Sequence, residues 1–398
     1  MSFALAPKDS FTVIEPISPI PLLSTSSINL TTNSPIPQMV TLSYNNLGDP
    51  SEIYPKQNYP NQSFSDQNIL YPQYTVAAIP KYSNAKKTYL KYTPYLLIIH
   101  SESPSKDYEK LNNNAASRED NNLRLFAAEL NFLNLKYNPS KGKKSILVYI
   151  GSSQGDHLIK LISLYPELEY HCYDPILSEL LENFVLQLRT TKVVLFNKLF
   201  DDEDTNQYIN IEADVYVITD FTNPNIKSDL EIKHSTNVSE LRDEKEFYLA
   251  QDMESQMRWV KLMKPKSSCL KIRFPHFYKN KTTNITVDYL QGLIYATIFS
   301  PRKTSECRMI VDEYESSATW NFKRLDEQMY YYNDVIRETP VVNPMTGFSK
   351  YGNGFDLTVF FWILKDYLII RGHALPLADE LINLYKFITG ENIYETGI

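Results

Sequence analysis

The sequence has little glycine and little cysteine, with 11 Gly and 3 Cys in 398 residues. An odd number of widely scattered cysteines does not form the paired framework of a small secreted domain, and we expect a reduced, cytosolic protein. No long uninterrupted apolar run is present, because the segment 357–370 contains Lys365 and Asp366. The start of the chain lacks the basic residues, apolar block and cleavage site of a secretion signal. We therefore expect neither a disulfide-stapled nor a membrane-spanning protein.

An excess of positive charge is also missing, since 40 Lys+Arg face 47 Asp+Glu and give a net charge of −7. This argues against a protein that binds nucleic acid through its whole surface and leaves a local basic stripe open. The chain is long enough for one large domain or two ordinary ones, and 43% hydrophobic residues provide a sizeable core.

Proline is distributed unevenly, and 12 of the 23 Pro lie in the first 100 residues among Ser, Thr, Asn and Gln. This stretch has no sustained apolar periodicity, so residues 1–85 are predicted to form an N-terminal extension and residues 86–398 the folded domain. Just beyond the extension, residues 95–99 are a short β-rich run that is predicted to form a strand docked on the domain.

The pattern changes after residue 120, where apolar residues recur at helical spacing over 121–135. Residues 145–150 are a largely apolar run of the kind buried in parallel sheets, followed by a glycine turn and a helical pattern over 157–164. Further strands are predicted at these positions: 170–173, 192–196, 214–219 and 268–273. The alternation predicts an α/β fold with a mostly parallel central sheet flanked by helices, and a ligand site at the carboxyl ends of the strands.

Gly151 and Gly155 follow the predicted strand 145–150, and Asp174 ends the next one. In a doubly wound sheet such glycines let the backbone approach a ligand, and such a carboxylate binds ribose hydroxyls. The third glycine of the dinucleotide fingerprint is missing and no Gly-Lys-Ser/Thr is present, so neither NAD nor a nucleoside triphosphate is favoured. A nucleoside ligand without phosphates, such as S-adenosylmethionine, requires neither of these phosphate-binding motifs. The alternative left open is that both glycines only shape a turn and Asp174 caps a helix.

A second constellation consists of four charged residues, namely Arg124, Asp220, Lys271 and Glu306. They come from a predicted helix, two strand ends and a later segment. Lys271 lies in a half-apolar strand, and a buried lysine must find a carboxylate or lose its proton. On spacing alone, a structural ion pair is the favoured interpretation.

Short motifs in a fixed order extend over more than half of the chain, from about Asp107 to the C-terminus. The main ones are Leu123-Arg124-Leu125, Val148-Tyr149-Ile150-Gly151-Ser152, Ile218-Thr219-Asp220, Ser267-Ser268-Cys269-Leu270-Lys271 and Ser305-Glu306. Each is weak by itself, but in this order they resemble the poxvirus-type cap-specific mRNA 2′-O-methyltransferase, which is also the small regulatory subunit of viral poly(A) polymerase. The resemblance does not cover the extension.

The resemblance implies a Rossmann-like, S-adenosylmethionine-dependent methyltransferase with a Lys-Asp-Lys-Glu tetrad that acts on the ribose 2′-hydroxyl of the first transcribed nucleotide. Asp220, Lys271 and Glu306 match three members, with Lys271 as the candidate base and the two carboxylates orienting its amine. The first Lys of the tetrad is Arg124 here, which keeps the charge but is wider and planar. Two interpretations stay open: an active enzyme, or a catalytically inactive RNA-binding processivity subunit of the polymerase.

The same resemblance implies binding residues for the cofactor and for the methylguanine cap. Those for S-adenosylmethionine are Tyr149, Gly151, Gly155, Asp174 and Asp220. Those for the cap are Tyr108, His276 and Phe277 as stacking residues and Asp326, which replaces a Glu, at the edge of the base. Aromatic residues so placed are equally suited to the core of the protein.

The implied partners are capped mRNA and the catalytic subunit of poly(A) polymerase, in the cytoplasm of a host infected by a large DNA virus and also in the virion. Contacts to the RNA backbone are expected from basic residues, namely Lys141, Lys143, Lys144, Lys264, Lys266, Arg273, Lys279, Lys281, Arg302, Lys303 and Arg308. For any single one, a solvated surface position is the alternative. A third interpretation is a virion or scaffold protein that uses the extension, and the oligomeric state is not predicted.

Overall fold

A computed structural model of the chain describes residues 94–106, 118–152, 155–188, 192–223, 225–226, 238–273, 286–301, 304, 306–339, 341, 354–373 and 378–390. The predicted extension, residues 1–85, lies outside the described residues, so its boundary stays a prediction. The same holds for the predicted cap residues Tyr108, His276 and Phe277. Within the described ranges, no helix is long and apolar enough to cross a membrane.

The described strands form one large sheet and one small one. They are β1 Ile98–Ile99, β2 Lys144–Ile150, β3 Glu169–Tyr173, β4 Val193–Phe196, β5 Ala213–Thr219, β6 Ser267–Ile272, β7 Thr286–Leu290, β8 Leu293–Ala296, β9 Cys307–Val311 and β10 Ser317–Asn321. The large sheet has eight strands in the order β1-β8-β9-β6-β5-β2-β3-β4, and β7 pairs with β10 separately. Strands β2 to β6 pair in parallel where they are neighbours, and β9 is antiparallel to both β6 and β8. The predicted mostly parallel α/β sheet is confirmed.

Helices cover both faces of this sheet. They are α1 Arg118–Lys136, α2 Asp156–Leu164, α3 Glu179–Gln187, α4 Asp202–Thr205, α5 Val238–Met263, α6 Phe322–Asp334, α7 Phe355–Ile370 and α8 Ala378–Thr389. The helical patterns over 121–135 and 157–164 correspond to α1 and α2. Helix α7 is buried almost all round, with Phe360, Phe361 and Leu364 fully inside the core. This position explains its apolar sequence, since a helix that is apolar on every side belongs in an interior.

Strand β2 contributes side chains to two apolar clusters, one on each face of the large sheet. Leu147 and Tyr149 lie in the larger apolar cluster, together with residues of α1 and α2. Ile146, Val148 and Ile150 lie in the smaller cluster on the other face, against Trp259 and Met263 of α5. Alternate side chains of a strand point to opposite faces, so a strand covered on both sides must be apolar throughout.

The strand expected at residues 95–99 is shorter than predicted. Pro94–Leu97 form a 3-10 turn, and only Ile98–Ile99 pair, antiparallel to β8. Proline has a fixed φ that suits the start of a helical turn and has no N–H for a β-ladder, which explains the late start of the strand.

Candidate active site

The four residues of the second constellation meet at the carboxyl edge of the large sheet. Asp220 directly follows β5, and Lys271 lies near the end of the parallel strand β6. Because β9 runs the opposite way, Glu306, which precedes its first residue, reaches the same edge. Arg124 comes from α1, and the side chains of Arg124, Lys271 and Glu306 are buried.

Among the described residues, the amine of Lys271 has three oxygen neighbours, all in the loop after β5. Its Nζ lies 3.3 Å from Asp220 Oδ1, and it donates to the main-chain oxygen of Asp220 at 3.0 Å and to Thr222 Oγ1 at 3.1 Å. Burial lowers the pKa of Lys271 to about 8, although Asp220 opposes this shift. An amine with this pKa is neutral in roughly a tenth of the molecules at pH 7, so it can accept a proton.

Arg308 completes the surroundings of Asp220. Its Nη2 donates to Asp220 Oδ1 at 2.7 Å and its Nη1 to the main-chain oxygen of Thr219 at 3.0 Å. Burial opposes ionisation of Asp220, but Lys271 and Arg308 outweigh it and hold the pKa of Asp220 below its ordinary value. The expected contact between Arg308 and the RNA backbone is wrong for this geometry, because Arg308 is only 4% exposed. Its place in the apolar run of β9, directly opposite Lys271, is the signal that sequence reasoning missed.

Glu306 is held by two hydrogen-bonded arginines, one on each carboxylate oxygen, and Arg308 Nη2 lies 3.6 Å from its Oε1. Arg124 Nη1 bonds Oε1, while Arg273 Nε and Nη2 lie 2.8 Å and 2.7 Å from Oε2. Burial opposes ionisation of Glu306, and the arginines, Arg124 first, keep its pKa well below the ordinary value. Arg124 therefore acts on the site through Glu306. In this geometry Arg124 supplies Glu306 with a positive charge and a hydrogen bond.

The site holds more positive than negative charge. Its cations are Arg124, Lys271, Arg273 and Arg308, its carboxylates are Asp220 and Glu306, and a third carboxylate, Asp252 of α5, faces Lys271 and Arg273. Such an excess favours an anionic ligand and a neutral Lys271, because each extra cation makes a further proton on the amine less favourable.

The glycine turn after β2 closes against this cluster. Gly151 has φ +94°, and a Cβ there would lie 2.3 Å from the main-chain nitrogen of Phe221 and 2.7 Å from the carbonyl carbon of Asp220. Gly155 has φ +65°, and a Cβ there would lie 2.8 Å from Leu181 Cβ. Both positions therefore need glycine, by conformation and by lack of space.

The residues around this turn fit a nucleoside cofactor such as S-adenosylmethionine. Gly151 lets the turn pack directly against the main chain of Asp220 and Phe221, and the buried Ser152 hydroxyl finds no hydrogen-bond partner among the described residues. Asp174 follows β3 at the same edge of the sheet and accepts a hydrogen bond from the Ile176 main chain at 2.8 Å. Ser152 and Asp174 would hold the polar groups of the nucleoside, which supplies a transferable methyl group when bound.

Tyr149 lies differently from the other predicted cofactor residues. Its side chain is fully buried, and its hydroxyl donates to Glu129 at 2.5 Å and lies 3.0 Å from His157 Nε2. Burial raises the pKa of Tyr149 well above the ordinary value, and the charge of Glu129 adds to this shift. The side chain thus belongs to the core under α1 and α2, and the strand pairs with β3 on one side and β5 on the other. Tyr149 is 0% exposed, so no part of it faces a cofactor in this structure.

Most of the chain matches a known protein family. Residues 91–383 match the family described as Poly A polymerase regulatory subunit. The chain belongs to this family. The match covers the whole cluster around Lys271 and the glycine turn, and it leaves out the predicted extension. Comparison with curated proteins gave no match.

The solved structures that resemble this chain have low sequence identity to it. A 16S rRNA (adenine(1408)-N(1))-methyltransferase from Catenulisporales acidiphilia is 12% identical, with a TM-score of 0.22 over 44% of this chain and 66% of that chain. A sugar N-methyltransferase from Streptoalloteichus sp. is 15% identical, with a TM-score of 0.22 over 56% of this chain and 81% of that chain. The first match thus spans just under two thirds of the other chain. The order of the strands in the large sheet defines the fold.

The cap residues expected for the family member are largely outside the described ranges. Asp326, which is described, lies in α6 and is only 1% exposed, and its charge acts on Cys307 at the start of β9. It is therefore a core residue in this geometry, with no exposed edge for a base. The cap pocket stays a prediction.

Three of the predicted RNA-contacting lysines lie at the amino edge of the sheet, opposite the site. Lys143 and Lys266 bind Asp214 at 3.0 Å and 2.9 Å, and Lys144 binds Glu169. Lys144 begins β2, whereas the glycine turn follows the last residue of that strand. For these three residues the structure supports the alternative of a solvated, ion-paired surface.

Proposed function

We propose that this member of the poly A polymerase regulatory subunit family is an S-adenosylmethionine-dependent methyltransferase that modifies the ribose 2′-hydroxyl of the first transcribed nucleotide of capped mRNA. The observation that carries the proposal is the buried amine of Lys271, 3.3 Å from Asp220 and next to a turn that must be glycine. The family name supports a second role beside the catalytic subunit of poly(A) polymerase.

In the proposed reaction the chain's own residues move one proton. The ribose hydroxyl is a poor nucleophile, so its O–H bond must break as the new O–CH₃ bond forms and the bond from the methyl carbon to sulfur breaks. Neutral Lys271 takes the proton on Nζ and becomes an ammonium. Asp220 stabilises that ammonium at 3.3 Å, and Arg308 holds the same carboxylate oxygen with a 2.7 Å hydrogen bond.

The excess positive charge gives the site a preference for RNA. A phosphodiester next to the acceptor ribose would compensate the cations that Asp220 and Glu306 leave unbalanced. Arg273 is the most exposed cation of the cluster, with 35% of its side chain accessible, and is suited to reach such a phosphate.

The decisive experiment measures transfer of labelled methyl groups from S-adenosylmethionine to short capped RNA. We expect label on the 2′-oxygen of the first nucleotide, and a rate about 10²- to 10⁴-fold lower for Lys271→Ala. Lys261→Ala, an exposed lysine on α5, is the matched control and should keep the wild-type rate. An unchanged rate for Lys271→Ala would exclude the amine from the proton transfer.

A second candidate is an RNA-binding processivity subunit without methyltransferase activity, and Arg124 in the place of a lysine favours it. In that case wild type transfers no methyl and Arg124→Lys restores transfer, while poly(A) synthesis by the catalytic subunit is stimulated by both. Transfer by wild type would reject this candidate.

The proposal also includes an origin in a large cytoplasmic DNA virus and a place in the host cytoplasm and the virion. Both rest on the resemblance to the poxvirus-type proteins. Immunofluorescence of infected cells and protein analysis of purified virions would test them.

A further inference from the structure

Helix α5 presents two buried polar side chains to the loop that holds Lys271. Asp252 and Gln256 are four positions apart, so they lie on the same face of the helix. They are 8% and 2% exposed, respectively. Neither residue belongs to the motifs that suggested the site, and burial of a polar side chain needs a compensating bond.

Gln256 bridges the main chain of Lys271 to the end of β5. Its Nε2 donates to the main-chain oxygen of Lys271 at 3.0 Å, and its Oε1 accepts from the Thr219 hydroxyl. The Lys271 main-chain nitrogen in turn donates to Thr219 Oγ1 at 3.0 Å. These three bonds form a closed set that fixes Lys271 relative to Thr219.

This bridge stands where the regular sheet pairing ends. Strands β5 and β6 pair in register only as far as Ile218 opposite Cys269. On this side Lys271 therefore has its main chain held by the side chains of Thr219 and Gln256, and on the other side it pairs with Arg308. At Lys271, hydrogen bonds from side chains thus take the place of the main-chain hydrogen bonds between β5 and β6.

Asp252 binds the loop that follows β5, at the end of that loop away from the strand. Its Oδ2 accepts from the Asn223 main-chain nitrogen at 3.1 Å. The intervening residues, Asp220 and Thr222, supply all three oxygens around the Lys271 amine. Burial raises the pKa of Asp252 to about 6, with Lys271 and Arg273 opposing the shift, so a carboxylate faces these cations at neutral pH.

We propose that Asp252 and Gln256 are positioning residues for methyl transfer. Gln256 sets the main chain of Lys271, and Asp252 sets the loop whose oxygens orient its amine. The inference rests on the proposed function, since it concerns the efficiency of the same reaction. A misplacement of a reacting group by about 1 Å costs about a hundredfold in rate, so small changes in these supports have large effects.

The test compares changes of α5 that face the loop with the same changes at exposed positions of the helix. Gln256→Met keeps volume and removes both bonds, and its control is Gln251→Met. Asp252→Asn keeps an acceptor oxygen and removes the charge, and its control is Glu254→Gln. Gln251 and Glu254 are exposed.

For Gln256→Met we expect a fall in kcat of about ten- to a hundredfold, with the KM for RNA and the Kd of S-adenosylmethionine within about twofold of wild type. For Asp252→Asn we expect a smaller fall in kcat. We also expect a lower apparent pKa on the acid side of the pH profile of kcat, because a negative charge near Lys271 is lost. The other charged groups that face Lys271 stay unchanged in these variants, namely Asp220, Arg273, Glu306 and Arg308.

Two results would overturn the inference: a wild-type kcat and pH profile in both variants, or a fall that is matched by loss of cofactor affinity and of thermal stability. If wild type transfers no methyl, the proposed function fails separately. The reactivity of the Lys271 amine towards acetic anhydride, followed against pH by mass spectrometry, then decides. An unchanged titration of Lys271 in Gln256→Met and Asp252→Asn contradicts a positioning role.

Discussion

The two edges of the large sheet carry similar charge pairs in opposite surroundings. At the amino edge, the buried carboxylate of Asp214 binds Lys143 and Lys266, whose side chains are 43% and 38% exposed. At the carboxyl edge, Asp220 binds Lys271 and Arg308, which are buried as well. A lysine near a carboxylate is thus found at both edges, but Lys271 is buried among further cations, whereas Lys266 is partly exposed.

The pKa values of Lys266 and Lys271 shift in opposite directions. Burial is the largest single influence on Lys266 and disfavours its charge, but the hydrogen bond to Asp214, together with Tyr216 and the charge of Asp214, outweighs it and raises the pKa of Lys266 above the ordinary value. At Lys271 burial dominates and lowers the pKa to about 8. Pairing with a carboxylate stabilises an exposed ammonium, whereas burial, with the nearby Arg273 and Arg308, favours the neutral amine that proton transfer needs.

The largest expected contrast concerns the glycines of the two edges. Gly142, in the turn before β2, has φ +74° and nothing within 4 Å of an added Cβ, whereas Gly151 has main-chain atoms within 3 Å. Gly142→Ala should cost only the left-handed conformation, about 1–2 kcal/mol. Gly151→Ala should cost several times more or prevent folding, since backbone cannot move aside cheaply. Urea unfolding of both variants measures this, and equal losses would mean that the turn is not packed against Asp220.

The next contrast is between a buried and an exposed cation. Arg308→Met removes a buried partner of Asp220, and breaking such a pair typically costs about 3–5 kcal/mol. Lys192→Met removes a cation that is 64% exposed from Glu169, which keeps Lys144 and His171. This second change should cost less than about 1 kcal/mol and should vanish in high salt. A loss of stability in Lys192→Met that equals that of Arg308→Met would show that the amino edge is not a screened surface.

The sequence predicted the fold well because the strands of a sheet covered on both faces are apolar throughout and easy to see. It also predicted which charged residues come together, because Asp220 and Lys271 end neighbouring strands. Arg308 and Gln256 were missed, since one looks like a surface cation and the other like an ordinary helix residue. Their positions depend on strand register and helix rotation. The burial of Asp326 inside α6 was also missed, because it depends on tertiary packing, which a charged residue in a helix does not reveal, and its role at the cap stays a prediction.

The smallest expected effect, and the most direct test of the comparison, is the titration of the two lysines. Reaction of amines with acetic anhydride at a series of pH values, read by mass spectrometry, should give Lys271 a midpoint near 8 and Lys266 a midpoint above the ordinary value. Methyl transfer, which needs a neutral amine, should rise with pH and level off above about 8.

The two lysines should also act in opposite directions on stability. Lys271 has a lowered pKa in the folded state, so between about pH 8 and its ordinary value the unfolded chain binds more protons and stability rises with pH. Lys266 has a raised pKa, so its contribution is lost as the pH rises through that value. Lys271→Met should therefore remove a rise in stability above pH 8 and Lys266→Met a fall at higher pH. Identical pH profiles for the two variants would mean that burial does not separate the two edges.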